Sequence, residues 1–597
     1  MTRAVVSTVR TFRRPLLRKT VKLLRPSANN GNHPRFLASR SSQATTPMRT
    51  RRVSGAVVAA AVAGGAWYAY STSGSSNRTT SIDNAVQSTT TGSVSGEVSE
   101  AARKAVIVGQ EQLFTSPIPE GQKLSKETDD YGRKVLEMMN DDQVTQKLRT
   151  NEESYLVGRG RGVVRYDVVQ IPSNDPIEDD HAEKIIEVPQ TIAATEAGAA
   201  SSDWMFWGVF DGHAGWTTSA KLRQALISFV ARELNSTYSN ALKDPASNIP
   251  SAELIDTAIR TGFTRLDHEI THESVQKVMK AQNKALAAEV LAPALSGSCA
   301  LLSFYDSRSK ELRVACTGDS RAVLGRRSAS GKWTATPLSV DQTGGTDSEV
   351  ARLRAEHPNE QYVTHNGRIL GGLEPSRAFG DAVYKWTRET QDLLRTKFFT
   401  RKPSQHLLTP PYVTAEPVIT TTKIRPDQGD FVVMATDGLW EMLTNEEVIG
   451  LVGMWLDKQK HNHGATGGSS NGWMSSLFAS SQKAQLPVEK GAVGSKDVAG
   501  QRAPIRQQQW GVTAAESERF VVQDKNVATH LVRNALGGKD TEMLSALLTL
   551  PSPYSRRYRD DLTVEVIFFG EGPEGGKIEV NKEGSASASV DNVKPRL

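Results

Sequence analysis

Cysteine is nearly missing from this chain of 597 residues, with only Cys299 and Cys316 present. Both lie in apolar, strand-like runs and read as small buried hydrophobes, which excludes a disulfide framework and a cysteine-based zinc site. Histidine is sparse at 11 residues, and no internal repeat is evident. Acidic residues are wholly absent from positions 1–82, which hold fourteen Lys and Arg and leave 58 basic against 66 acidic residues in the remainder. The basic character of the whole chain therefore belongs to its leader. Long apolar runs are also lacking, apart from the uncharged stretch V-S-G-A-V-V-A-A-A-V-A-G-G-A-W-Y-A-Y at 53–70.

These absences organise the chain. Residues 1–52, rich in Arg and Ser with apolar residues between the charges, read as a mitochondrial transit peptide, the alternative being a basic nucleic-acid-binding arm. At about 1.5 Å per residue, a helix over 53–70 would nearly cross a hydrocarbon core of about 30 Å, so it is a candidate transmembrane or sorting helix and implies inner-membrane association, facing matrix or intermembrane space. Residues 71–100 are a Ser/Thr/Gly-rich linker without the apolar content for a core. An N-terminal extension at 101–157 is expected to pack on a catalytic domain at 158–570. A Gly/Ser/Gln-rich insertion at about 458–515 is expected to be disordered, and residues 571–597 form a polar tail. The terminal Pro595, Arg596 and Leu597 are a weak form of a peroxisomal address. No nucleic-acid partner is expected for the body of the chain.

Carboxylates are what the chain has in telling places. F-W-G-V-F-D-G-H-A-G-W, from Phe206 to Trp216, sets Asp211 and His213 on a tight turn after a buried strand. Alone this motif also reads as an Asp-Gly hairpin with a solvated His. Partners appear at Glu178, Asp179 and Asp180, at Asp437 after D-F-V-V-M-A-T, and at Asp560 and Asp561 before L-T-V-E-V-I-F-F. Apolar strands that repeatedly end in acids next to Gly describe an oxygen-ligand site for hard cations. Long helical stretches are expected at Thr217 to Leu242 and Ala252 to Glu289, between the Asp211 strand and a strand pair around Leu301 and Val314. Strand runs interrupted by helix blocks predict a layered α+β fold.

The order E-D, V-F-D-G-H-A-G, S-G-S-C-A, C-T-G-D-S-R-A, S-R-A-F-G-D, A-T-D-G-L-W-E and R-D-D resembles the metal-dependent protein serine/threonine phosphatases of the 2C type. N-D-P-I-E-D, R-I-L-G-G-L-E-P-S-R-A-F-G-D, P-P-Y-V-T-A-E-P and Y-R-D-D-L-T-V are similar to the pyruvate dehydrogenase phosphatase branch. The resemblance spans roughly Gly158 to Gly570. It implies a central β-sandwich of two antiparallel sheets flanked by helices (αββα), with the metal site at one end.

The resemblance also implies roles. Asp211 bridges two Mg2+ or Mn2+ ions about 3.5 to 4 Å apart, with the Gly212 carbonyl completing one sphere; Glu178 falls on the second metal, and Asp437 and Asp560 hold the first. Asp319 joins Asp437 at a weaker third metal, Asp179 bonds metal waters, and His213 protonates the leaving alkoxide after direct attack of a dimetal-bound hydroxide. The D-D pair ending in Asp561 is typical of the branch. Asn174 stands where most relatives carry a phosphate-gripping Arg, so phosphate binding should lean harder on the metals. S-V-D-Q-T-G-G-T-D-S-E-V-A-R-L, from Ser339, matches the flap beside the site. The implied substrate is a phosphorylated protein, with the pyruvate dehydrogenase E1 subunit foremost. The alternatives are other mitochondrial or intermembrane-space phosphoproteins, or a catalytically silent membrane-tethered scaffold.

Overall fold

In a computed structural model, the described residues are 103–109, 113–119, 124, 127–129, 131–188, 202–243, 249–464, 486–489, 516–572 and 576–586. The expected transit peptide, the run at 53–70, the linker and the last residues of the chain lie outside them. Among the described residues, no helix is long and apolar enough to cross a membrane.

Two antiparallel sheets face each other. One has five strands in the order Val418–Lys423, Glu311–Thr317, Ala300–Asp306, Ser202–Phe210, Asp180–Val188. The other has seven, in the order Trp333–Pro337, Arg321–Arg327, Phe431–Ala435, Leu562–Phe569, Val163–Ile171, Glu152–Val157, Ile578–Val580. The strand 202–210 is buried along its whole length because each of its faces has a partner. Met205, Trp207 and Val209 fill the core between the sheets, whereas Trp204, Phe206 and Phe210 pack under helices. The strand 562–569 divides in the same period-two way, sending Ile567 and Phe569 inward and Leu562, Val564, Val566 and Phe568 to the opposite helix layer.

Helices complete the outer layers. Thr217–Ala241 presents Leu222, Leu226, Val230 and Leu234 at helical spacing to the five-stranded sheet, and Ala252–His268 begins at Ser251, whose side chain accepts from the Leu254 amide. Asn445–Gly464, Val527–Leu536 and Thr541–Thr549 cover the seven-stranded sheet. The layered α+β sandwich expected from the sequence is the observed architecture.

Three boundaries differ from expectation. The expected helical stretch from Ala252 to Glu289 is helical but passes through a π-turn at Glu269–Glu273 and breaks at Gln282, which is left-handed at φ 50°. Within the expected insertion, the Trp333 amide donates to the Pro487 carbonyl (2.8 Å) and the Glu489 amide to the Trp333 carbonyl (2.8 Å), while Leu486 and Val488 are buried in the core. Within the expected polar tail, Ile578–Val580 pairs with the 152–157 strand and Ser585 donates to the Ser154 carbonyl, so short apolar and hydroxyl residues in polar surroundings finish the sheet edge.

Candidate active site

Antiparallel register brings the acids together. Asp180 pairs with Phe210, so Glu178 and Asp179, just before one strand, meet Asp211, just after the other. Ala435 pairs with both Arg321 and Val564, so Asp437 after its strand meets Asp319 and Asp560 before theirs. Each of these acids is thereby delivered to one end of the sandwich.

Ligand oxygens of Asp211, Asp319 and Asp437 all lie within 4.8 Å of one another. The Asp437 amide lies 3.4 Å from Asp211 Oδ2, and Cys299 Sγ donates to Asp319 Oδ1 at 3.1 Å. Burial, and then repulsion from Asp437, Asp179, Asp560 and Asp319, pushes the Asp211 carboxyl well above the usual range. Asp437 is pushed up by burial and then by Asp560 and Asp319. Burial lifts Asp319 to about 6 and Asp560 to about 6, the latter against the pull of Arg556. Carboxylates crowded in this way lack positive charge, and an all-oxygen donor set fits hard divalent cations such as Mg2+ or Mn2+.

The remaining site residues sit around this trio. Glu178 lies beside it, not within it: its carboxyl is raised by burial and then by Asp561, and it also feels His213. Its carbonyl accepts from Ser219 Oγ (2.5 Å), and a Cβ on Gly212 would come within 2.0 Å of that carbonyl oxygen, so position 212 requires glycine. Asp179 is buried and accepts from Thr563 Oγ1 at 2.8 Å. Asp561 staples the loop before Glu178, accepting from the amides of Ser173 (2.5 Å), Asn174 (3.0 Å) and Glu178 (2.9 Å).

A small sheet of Gly212–His213, Gly297–Ser298 and Phe379–Gly380 places His213 next to Asp381, with Nε2 to Oδ2 at 2.6 Å. A Cβ on Gly297 would lie 2.1 Å from that Nε2, so the pair meets across the space a side chain would fill. Burial pulls the imidazole down, but Asp381 overrides it and the net shift is upward. The sequence reading gave Asp381 no role although it ends S-R-A-F-G-D; the repeated pattern of acid after glycine was its signal. It also passed over Arg556, whose Nη1 lies 2.5 Å from Asp560 Oδ2.

The protein phosphatase 2C profile matches residues 180–485. The chain belongs to the protein phosphatase 2C family. It is 44% identical over 464 residues to the mitochondrial pyruvate dehydrogenase (acetyl-transferring) phosphatase 1 of Saccharomyces cerevisiae, covering 76% of this chain and 77% of that one. It is 42% identical over 435 residues to a protein phosphatase 2C homolog of Schizosaccharomyces pombe, covering 72% and 85%. It is 31% identical over 491 residues to the Bos taurus mitochondrial pyruvate dehydrogenase phosphatase 1, covering 72% and 82%. The chain is a protein serine/threonine phosphatase. The family match begins after Glu178 and Asp179 and ends before Asp560, so the sandwich geometry is what joins those residues to the matched ones.

Proposed function

We propose that this phosphatase acts in mitochondria on phosphoserine or phosphothreonine of the pyruvate dehydrogenase complex, using two divalent cations. The single observation that carries the chemistry is the convergence of Asp211, Asp319 and Asp437 oxygens within 4.8 Å at one end of the sandwich. Asp211, Asp437 and Asp560, the Gly212 carbonyl, and Glu178 for the second ion would hold the cations, with Asp319 available to a weaker third. When bound, such ions supply Lewis acidity that acidifies water and offsets the phosphate charge. Asp179, fixed by Thr563, would orient water bound to them. His213 has Nε2 committed to Asp381, so proton exchange with the leaving seryl oxygen falls to Nδ1.

The substrate assignment is supported by the names of the yeast and bovine relatives, both mitochondrial pyruvate dehydrogenase phosphatases. The acid-free leader agrees with that compartment, and the 53–70 run would tether the enzyme to the inner membrane. The test is manganese-dependent dephosphorylation of the phosphorylated E1 subunit against an unrelated phosphopeptide, with Asp211→Asn as control. Faster turnover of E1 is expected; equal rates on both substrates would remove the substrate assignment, and equal rates for both proteins would remove Asp211. Protease protection in mitochondria and mitoplasts should show the domain facing the matrix, and exposure in mitoplasts would count against it.

A further inference from the structure

A phosphoryl group brings negative charge to a site already crowded with carboxylates, so the position of side-chain cations around it matters. Asn174 carries none, and its amide is occupied: the Asn174 backbone amide donates to Asp561 Oδ1 (3.0 Å) and Nδ2 to Asp561 Oδ2 (3.2 Å). The neighbouring stretch S-R-R-Y-R-D-D holds three arginines with different surroundings. Arg559 is buried and donates to the Pro172 carbonyl at 2.7 Å, bracing the loop that leads to Asn174. Arg557 lies over the Tyr554 ring. Arg556 turns to the acids.

Arg556 sits in the one-turn helix Ser555–Arg557, and Ser555 Oγ donates to the Ser173 carbonyl (2.5 Å), docking that turn against the residue before Asn174. Its Nη1 pairs with Asp560 Oδ2 at 2.5 Å, yet its side chain remains 39% exposed, against 16% for Asp560. The guanidinium thus pairs with a carboxylate of the site while its side chain keeps part of its surface in solvent. The charges that act on it are those of the site: Asp560 first, then Asp437, Asp211 and Asp561. A planar fork with five N–H donors can hold one carboxylate and still present hydrogen bonds to a phosphate.

We propose that Arg556 is the side-chain cation that grips the non-bridging oxygens of the substrate phosphoryl group, from a different segment of the chain than position 174. This rests on the phosphatase reading above and adds a substrate-binding residue to it. The competing role for Arg556 is to serve only as counter-ion to Asp560.

The test compares the intact protein with Arg556→Gln and Arg556→Lys. Three quantities are measured: KM and kcat on a phosphoserine peptide, the affinity for inorganic phosphate by calorimetry on manganese-loaded protein, and the manganese concentration giving half activation. Losing a charge-assisted hydrogen bond should weaken phosphate binding and raise KM about tenfold or more in the Gln variant, with a smaller change in the Lys variant and a nearly unchanged manganese requirement. Unchanged phosphate affinity with a shifted manganese requirement would overturn the proposal, because a counter-ion to Asp560 alone predicts that pattern. Should the Gln variant misfold, the Lys variant decides: phosphate affinity equal to wild type overturns the proposal, and a several-fold loss supports it. Absence of wild-type turnover on the peptide would remove the phosphatase reading itself, and this proposal with it.

Discussion

Two regions of the sandwich bury acids in opposite ways. At the strand ends Asp211, Asp319 and Asp437 crowd their oxygens within 4.8 Å, with Asp560 adjoining. In the middle of the 562–569 strand, Glu565 points between the sheets beside the positions of Ile567 and Phe569, fully buried, and neither carboxyl oxygen has a hydrogen-bond partner. Both regions push their carboxyls well above the usual range: Asp211 by burial and then its neighbouring aspartates, Glu565 by burial and then Glu183 and Glu153. The difference lies in what can relieve each. One divalent ion satisfies several aspartates whose oxygens converge, whereas a buried acid with no hydrogen-bond partner is relieved by keeping its proton. Among the described residues it is convergence of ligand oxygens, and not burial, that sets the candidate site apart.

The largest effect that could break this contrast is on turnover. Under the proposed two-cation site, Asp211→Asn should lower kcat/KM on a phosphopeptide by roughly 10³-fold or more, because it would remove charge complementary to both cations. Glu565→Gln should leave the same constant within about twofold, since its carboxyl touches neither substrate nor the aspartate trio. Comparable losses in both variants would mean that the interior acid belongs to the site. Under the proposed proton-transfer role, His213→Gln should cost on the order of 10²-fold in kcat with KM little changed, and Asp381→Asn about tenfold, because Asp381 would act through the imidazole it contacts. An Asp381→Asn loss as large as that of His213→Gln would make Asp381 a direct participant.

Cation binding sharpens the contrast through stability. Manganese at about a hundred times its dissociation constant should stabilise the wild type by about 2.7 kcal/mol, read as a rise in melting temperature. Asp437→Asn should lose most of that rise, while Glu565→Gln should keep it in full. A rise preserved in Asp437→Asn would detach that residue from the cations.

Much of this was legible in the sequence because strand ends are legible. D-G-H after F-W-G-V-F and D-G-L-W after F-V-V-M-A announce acids at the ends of buried strands, and the layered fold follows from strands broken by helix blocks. Antiparallel pairing was legible only through the family resemblance, which implied Asp319 beside Asp437; neither the residues nor the resemblance indicated that it also sets Asp381 beside His213 across a long sequence separation. Arg556 was hidden for a related reason: three arginines within four residues look alike until the structure sends one into the core, one over a ring and one toward Asp560. Glu565 could not be distinguished at all. It lies within the apolar run L-T-V-E-V-I-F-F, and the second sheet that covers its face is formed by residues far away in the chain.

The smallest expected effect tests Glu565 by its pH dependence. Below about pH 4.5, the ordinary value for a glutamate, folded and unfolded chains both keep the Glu565 proton and the residue adds no pH-dependent term. As the pH rises past that value the unfolded chain releases the proton while the folded chain retains it, so the unfolded state binds fewer protons and stability falls. Glutamine has no proton to release, and its buried amide costs the same at every pH. The melting temperature of Glu565→Gln minus that of wild type, both in saturating manganese, should therefore become more favourable to the variant between about pH 5 and pH 7.5. The aspartate cluster is common to both proteins and cancels in the difference. A difference that stays flat across that range would show Glu565 titrating normally, and the interior acid would then need a counter-charge of its own, as the cluster does.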